Sequence, residues 1–264
     1  MADPFDLLLD SVLADLKRRQ SAGARFVNVS PEALAALQSP LTTPPTGVAE
    51  PPPAARPDPS KEEAFEVLRK QVMICQKCPH LVTSRTQVVF GVGNIHAKLM
   101  FIGEAPGSDE DRQGEPFVGK AGQLLTKIIQ TMGLQRNQVY IGNVLKCRPD
   151  TPGQSYGNRK PSPEEMDTCL PFLHRQIGLI GPEAIVALGG TALEGLLGRP
   201  APITKLRGKW IDVEGVPVMP TYHPSYLLRN QALPIKRQLW EDILQVMDRL
   251  AMPISDKQRR FFLQ

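Results

Sequence analysis

Eight of the twenty positions from Pro40 to Pro59 are proline. Proline lacks a backbone N–H and fixes φ, so this stretch fits neither a helix interior nor a sheet ladder. It reads as a stiff, extended linker over residues 40–60 that divides the 264-residue chain unequally. Before it lies an extension, residues 1–39, with two short helical patterns. Asp3 can cap the first, and Phe5, Leu8, Leu9, Val12, Leu13 and Leu16 then share one face. Ser30-Pro31-Glu32 opens the second. Charge divides at the same place. Residues 1–60 hold five basic and seven acidic side chains, net −2, and the remainder holds 26 and 20, net +6. A single domain is expected at 61–253, followed by a basic, aromatic tail at 254–264.

The apolar share, 41%, is enough for a core, and the net charge of +4 does not by itself select a nucleic-acid partner. No run of about 18 apolar residues exists to span a membrane. The start, Met-Ala-Asp-Pro-Phe-Asp, is acidic where a secretory signal would be positive. The expected location is the cytoplasm, with the four cysteines reduced and free for metal binding or catalysis.

Within the domain, Ser60 and Glu63 form a capping box for a helix with Phe65, Leu68 and Val72 inward. A buried strand follows at Lys98–Ile102, a helix from Gly122 to Met132 and a strand from Val139 to Val144. Ser162, Pro163 and Glu165 open another helix. Ala184–Leu188 is a short buried strand, turning through Gly189-Gly190 into a helix over Thr191–Leu197. Lys209–Val213 and Val216–Met219 form a hairpin about Glu214-Gly215, and Ile235–Leu250 is a long closing helix. Strands alternating with helices imply a three-layer α/β/α sandwich on a mostly parallel sheet. Sites in such sheets lie beyond the carboxyl ends of strands, which selects the loops after Gly103, Asn143 and His223.

Cys75-x-x-Cys78 has metal-ligand spacing, and Cys147 and Cys169 complete a set of four. Four thiolates suit zinc or an iron–sulfur cluster equally by count. Gly103-Glu104-Ala105-Pro106-Gly107 places a carboxylate in a turn after a buried strand. Phe117, between turn formers, either plugs the core or offers a stacking surface. Asn143 in an apolar strand needs polar partners, and its amide suits a base edge. His223 is followed by Pro224, Leu227, Leu228 and Arg229 in an expected loop, a combination natural for wedging a duplex and holding phosphates.

Together these segments resemble the uracil-DNA glycosylase superfamily, most of all its iron–sulfur branch, family 4. The resemblance covers residues 65–250 and rests on GEAPG at 103–107, PFVG at 116–119, NVLKCRP at 143–149 and HPSYLLR at 223–229, in family order with the four cysteines. It implies a 4Fe–4S cluster on Cys75, Cys78, Cys147 and Cys169, zinc being the alternative. It also implies hydrolysis of the N-glycosidic bond of uracil in single- or double-stranded DNA, which starts base excision repair. Gly103, Ala105 and Glu110 would join the uracil site, Ala105 through its backbone N–H and Glu110 at the C5 edge. Phe117 would stack, Asn143 would read the amide edge, His223 would donate to a uracil oxygen, and Glu104 would orient water. Leu227 and Leu228 would fill the gap left by a flipped nucleotide, and Arg229 would grip phosphate.

One departure stands out. Twenty-one residues separate Cys147 from Cys169, more than family 4 commonly has, with the extra length at Asp150–Gly157. A related branch carries a longer loop there, whose histidine traps the abasic sugar, and Gln in place of the Glu of its first motif. This chain keeps Glu104 and has no His between Cys147 and His174, only Ser155 and Tyr156 as poorer candidates. Turnover is therefore expected, against the alternatives of a covalently trapping or a non-catalytic DNA-binding module. A monomer suffices for all of these. The N-terminal extension reads as a disordered tether with transient helices, the alternative being that its Phe5–Leu16 face docks on a replication or repair partner.

Overall fold

The structure is a computed structural model and describes residues 60–151 and 158–263. The chain divides into two units, Met1–Ala55 and Arg56–Gln264, and every described residue belongs to the second. The N-terminal helical patterns, the linker as far as Pro59, and Ser155 and Tyr156 lie outside the described residues.

The capping box at Ser60 and Glu63 is present and opens α1, Lys61–Met73, with Phe65, Leu68 and Val72 buried. A short helix α2, Pro79–Ser84, starts from Cys78 as its N-cap. The strands are β1 (Val92–Gly93), β2 (Leu99–Gly103), β3 (Tyr140–Asn143), β4 (Ala184–Leu188), β5 (Ile211–Val213) and β6 (Val216–Thr221). Between them run α3 (Ser108–Gln113), α4 (Lys120–Thr131), α5 (Pro163–Ile180), α6 (Gly190–Leu197) and α7 (Ile203–Leu206). After β6 come α8 (Pro224–Arg229), α9 (Leu233–Arg249) and α10 (Asp256–Arg259). A second capping box, Ser162 with Glu165, opens α5.

The sheet order is β1-β3-β2-β4-β6-β5. The four central strands are parallel and both edges antiparallel. All five residues of β2 and of β4 are buried, as strands covered on both faces must be. Alternate β2 side chains serve opposite layers. Met100 and Ile102 join a core with α1, α5 and α6. Leu99 and Phe101 join another with α4 and α9, centred on Trp240. Each such side chain contributes about 1.5–3 kcal/mol by leaving water. The three-layer sandwich expected from the pattern is the observed fold.

Two expectations change. The stretch after His223 is the helix α8 rather than a loop. The C-terminal segment does not stand apart, because α10 folds back on α9. Trp240 Nε1 donates to the Gln258 carbonyl at 2.7 Å, and the Phe261 ring lies 5.6 Å from the Trp240 ring. No helix among the described residues is long and apolar enough to cross a membrane.

Candidate active site

The parallel strands end on one edge of the sheet. Glu104 follows β2, Asn143 ends β3, Gly189 follows β4, and His223 lies two residues past β6. From β2 the chain moves to β3 on one side and later returns to β4 on the other. That reversal opens a crevice at the carboxyl ends of β2 and β4. A cavity of about 500 Å³ fills it, lined by Glu104, Ala105, Glu110, Asn158, His223 and Arg229, among others.

His223 is the N-cap of α8, and its Nδ1 accepts from the Ser225 backbone N–H at 3.1 Å. The Ser225 hydroxyl lies 2.7 Å from the same nitrogen. A neutral ring held this way carries its proton on Nε2. Burial, reinforced by the charge of Arg229, lowers the pKa to about 4. The imidazole at neutral pH is therefore an uncharged N–H donor with a fixed tautomer. Opposite it, burial raises the Glu104 pKa, while a Thr191 hydrogen bond and the Lys160 charge partly oppose that rise.

Phe117 has φ 55°, a left-handed conformation unusual for an aromatic residue. Its ring centroid is 5.7 Å from that of His223, and the side chain is buried. Two glycines make room for it. A Cβ on Gly103 would lie 2.5 Å from both Phe117 Cζ and Asn143 Oδ1, and one on Gly122 would lie 1.8 Å from the Phe117 carbonyl oxygen. Asn143 is 2% exposed, and among the described residues its carboxamide has no hydrogen-bond partner. No buried side-chain N or O among them is both sealed from solvent and unpaired, so this amide opens onto free space.

Glu110 lines the crevice, and backbone N–H groups of the turns around it hold its carboxylate. One carboxylate oxygen accepts from Gly107 N at 3.0 Å, and the other from Val118 N at 2.9 Å and Gly119 N at 3.0 Å. It clamps the GEAPG turn to the PFVG turn and so holds Phe117 in place. Leu227 and Leu228 differ in their surroundings. Leu227 is 5% exposed and packs in the core with α4 and α9, while its neighbour Leu228 is 39% exposed. The cavity lining thus gathers Glu104, Ala105, Glu110, His223 and Arg229. Gly103, Phe117 and Asn143 stand against one another beside it, and Leu227 and Leu228 lie outside its lining.

Residues 90–244 match the model of the uracil DNA glycosylase superfamily. The chain belongs to that superfamily. It is 47% identical over 186 residues to a type-4 uracil-DNA glycosylase of Thermotoga maritima, covering 70% of this chain and 93% of the relative. A type-4 uracil-DNA glycosylase of Archaeoglobus fulgidus is 42% identical over 179 residues, 65% of this chain and 86% of its own. A type-5 uracil-DNA glycosylase of Pyrobaculum aerophilum is 29% identical over 189 residues, 59% and 80% respectively.

In this glycosylase-superfamily chain the four cysteines converge on a second cavity, together with Arg85 and Lys146. Cys75 follows α1, Cys78 caps α2, Cys147 follows β3, and Cys169 lies within α5. The Arg85 guanidinium donates to Cys147 Sγ at 3.0 Å, and the Lys146 backbone N–H donates to Cys169 Sγ at 3.3 Å. Burial raises the thiol pKa values of Cys78, Cys147 and Cys169, the last to about 11. Among the described residues, no three His, Cys, Asp or Glu side chains form a group fit to hold a single metal ion.

The sequence pattern missed Asn158. Its Nδ2 donates to the Pro106 carbonyl at 2.7 Å and its Oδ1 accepts from Arg148 Nε at 3.2 Å. It fixes the GEAPG turn from the side opposite Glu110. The next residue, Arg159, pairs with the buried Glu165 at 2.8 Å. Sequence reasoning also missed Ser225, although a serine two residues after His223, behind a proline, is a helix-start pattern that could have found it.

Proposed function

We propose that this chain is a monofunctional type-4 uracil-DNA glycosylase, releasing free uracil and leaving an abasic site. The observation that carries the reading is the fixed, neutral imidazole of His223 sharing one crevice with the half-buried carboxylate of Glu104. Breaking the N-glycosidic bond leaves negative charge on uracil and positive charge on the sugar. A preorganised N–H donor at Nε2 stabilises the first. An anionic Glu104 stabilises the second and orients the attacking water. The Asn143 amide donates to uracil O4 and accepts from its N3–H, whereas cytosine presents the reverse pattern and leaves both groups unpaired. Phe117 gives the base a stacking surface. The target atom is inaccessible in a stacked duplex, so the nucleotide is flipped into the crevice, with Leu228 beside the gap and Arg229 on phosphate.

The residues around the second cavity fit a 4Fe–4S cluster on Cys75, Cys78, Cys147 and Cys169. Four thiolates carry negative charge, and the Arg85 guanidinium beside them donates to the sulfur of Cys147. Zinc is the alternative, since four thiolates suit either by count. The cluster would tie α1, α2, β3 and α5 together as a structural device. Uracil-containing DNA is the partner, the protein acts as a monomer, and the cytoplasm keeps its thiols reduced.

The test is an end-labelled oligonucleotide with one uracil, incubated with metal-loaded protein and divided between alkaline cleavage and a denaturing protein gel. Cleavage beyond one equivalent of enzyme, without an adduct, is expected. A denaturation-resistant adduct would assign the chain to covalent trapping, and neither product would leave a DNA-binding module.

A further inference from the structure

Asp242, on α9, is 1% exposed, and its carboxylate gathers side chains from two other parts of the chain. The Arg207 guanidinium, directly after α7, meets both of its oxygens, at 3.1 Å through Nε and 2.5 Å through a terminal nitrogen, and donates also to the Gln238 carbonyl. The Thr221 hydroxyl donates to Asp242 Oδ2 at 2.6 Å. Thr221 is the last residue of β6, and its pairing with Leu188 is the last rung before the chain leaves the sheet toward His223. Tyr222 is held by the same group. Its hydroxyl donates to Gln238 Oε1 at 3.0 Å, and the Arg207 guanidinium lies 5.1 Å from its ring centroid. Gly208, with φ 72°, leaves room for the group, since a Cβ there would lie 2.8 Å from Asp242 Oδ1. Replacing a buried ion pair by apolar side chains is often neutral for stability. What apolar side chains do not supply is direction, and this pair directs contacts at both residues that precede His223.

We infer that Arg207 and Asp242 are positioning residues for His223: they fix the side chains of Thr221 and Tyr222, and so the point at which the chain leaves β6 and begins α8 with the imidazole as its N-cap. Neither residue lines the crevice. Two residues of extended chain span at most about 7 Å, so little slack separates the Thr221 anchor from the ring. The strand end is also gripped from the other flank. Gly189 N donates to the Thr221 carbonyl at 2.9 Å, and a Cβ on Gly189 would lie 3.1 Å from His223 Cβ. A misplacement of about 1 Å in a group that must meet developing charge costs on the order of 10²-fold in rate. The inference rests on the proposed role of His223 in uracil release. The state of the imidazole itself is measured without that reading.

The test compares wild type with three variants of the full, metal-loaded chain. Asp242→Asn leaves one oxygen where Arg207 and Thr221 share two. Thr221→Val keeps the shape and removes the hydroxyl, and Thr221→Ser keeps the hydroxyl and removes a methyl group from the core. Four quantities are measured: the melting temperature, affinity for a uracil-containing oligonucleotide, the single-turnover cleavage rate at saturating enzyme, and the imidazole ¹⁵N signals of His223, assigned by comparison with His223→Gln. Asp242→Asn and Thr221→Val are expected to cleave about 10–100-fold more slowly with DNA affinity within about twofold, and their imidazole signals should change from one fixed Nε2–H tautomer to a mixture. Thr221→Ser is expected to melt below wild type yet keep its rate within about threefold and its imidazole signals unchanged. Should Asp242→Asn not accumulate, the two Thr221 variants decide the matter. A lower melting temperature with wild-type rate and imidazole signals in Thr221→Val would mean a purely structural ion pair and overturn the assignment. Equal rate losses in Thr221→Val and Thr221→Ser would trace the effect to packing and overturn it as well. If wild type itself cleaves no uracil, the glycosylase reading fails, and the imidazole signals alone still decide whether the pair holds the ring.

Discussion

Two ionisable residues meet in the crevice, and burial moves them in opposite senses. Glu104 rises above the ordinary carboxylate range and His223 falls to about 4. The proposed chemistry needs the first as an anion and the second as a neutral donor. As pH falls, Glu104 takes up its proton first, and with it goes the charge that faces the sugar cation. His223 stays neutral until near pH 4. Single-turnover cleavage should therefore fall with decreasing pH along one limb set by Glu104, higher than a free carboxylate would give. Glu104→Gln should lower the rate about 10²–10⁴-fold and remove that limb. A limb that persists unchanged in Glu104→Gln would transfer the titration to another group.

Local patterns were legible where a few neighbouring residues decide the outcome. Both capping boxes close within four residues, at Ser60 with Glu63 and at Ser162 with Glu165, and both are present. The hairpin about Glu214 and Gly215 is present too, with φ positive at both positions, as a tight turn requires. What escaped depends on contacts between elements. Helix α3, Ser-Asp-Glu-Asp-Arg-Gln, has no apolar face to announce it, and the clamp made by Glu110 depends on backbone N–H groups eight and nine residues away. The short α8 lacks the length for a periodic signal, and only its docking on α4 decides that Leu227 turns inward and Leu228 outward. These two leucines separate packing from DNA handling. Leu227→Ala should cost about 2–5 kcal/mol of stability and lower the melting temperature. Leu228→Ala should leave melting within about 0.5 kcal/mol and slow cleavage of duplex uracil more than of single-stranded uracil, since only the duplex needs a gap filled. Equal losses on both substrates would remove Leu228 from the flipping step.

The site is legible at the scale of the whole molecule as well, because residues scattered from 75 to 229 are gathered by one sheet edge and one cluster of sulfurs. With the proposed metal centre on the four cysteines, the same arrangement would make the fold depend on that metal. Without it, the thiols of Cys78, Cys147 and Cys169, whose pKa values burial raises, take protons, and Arg85 loses the thiolate it donates to. Leaving one member of a buried charge pair unanswered costs about 3–5 kcal/mol, and the elements held by Cys75, Cys78, Cys147 and Cys169 lose their common tether as well. In a domain of this size each kcal/mol moves the melting temperature by about 2–4 °C. Stripping the metal with an oxidant and a chelator should therefore lower melting by roughly 10 °C or more. Restoring iron and sulfide anaerobically should return both the melting temperature and a broad visible absorption, while zinc should return the first without the second. Coincident melting of stripped and loaded protein would show that the packing on the two faces of the sheet suffices, and that the sulfurs hold no structural share of the fold.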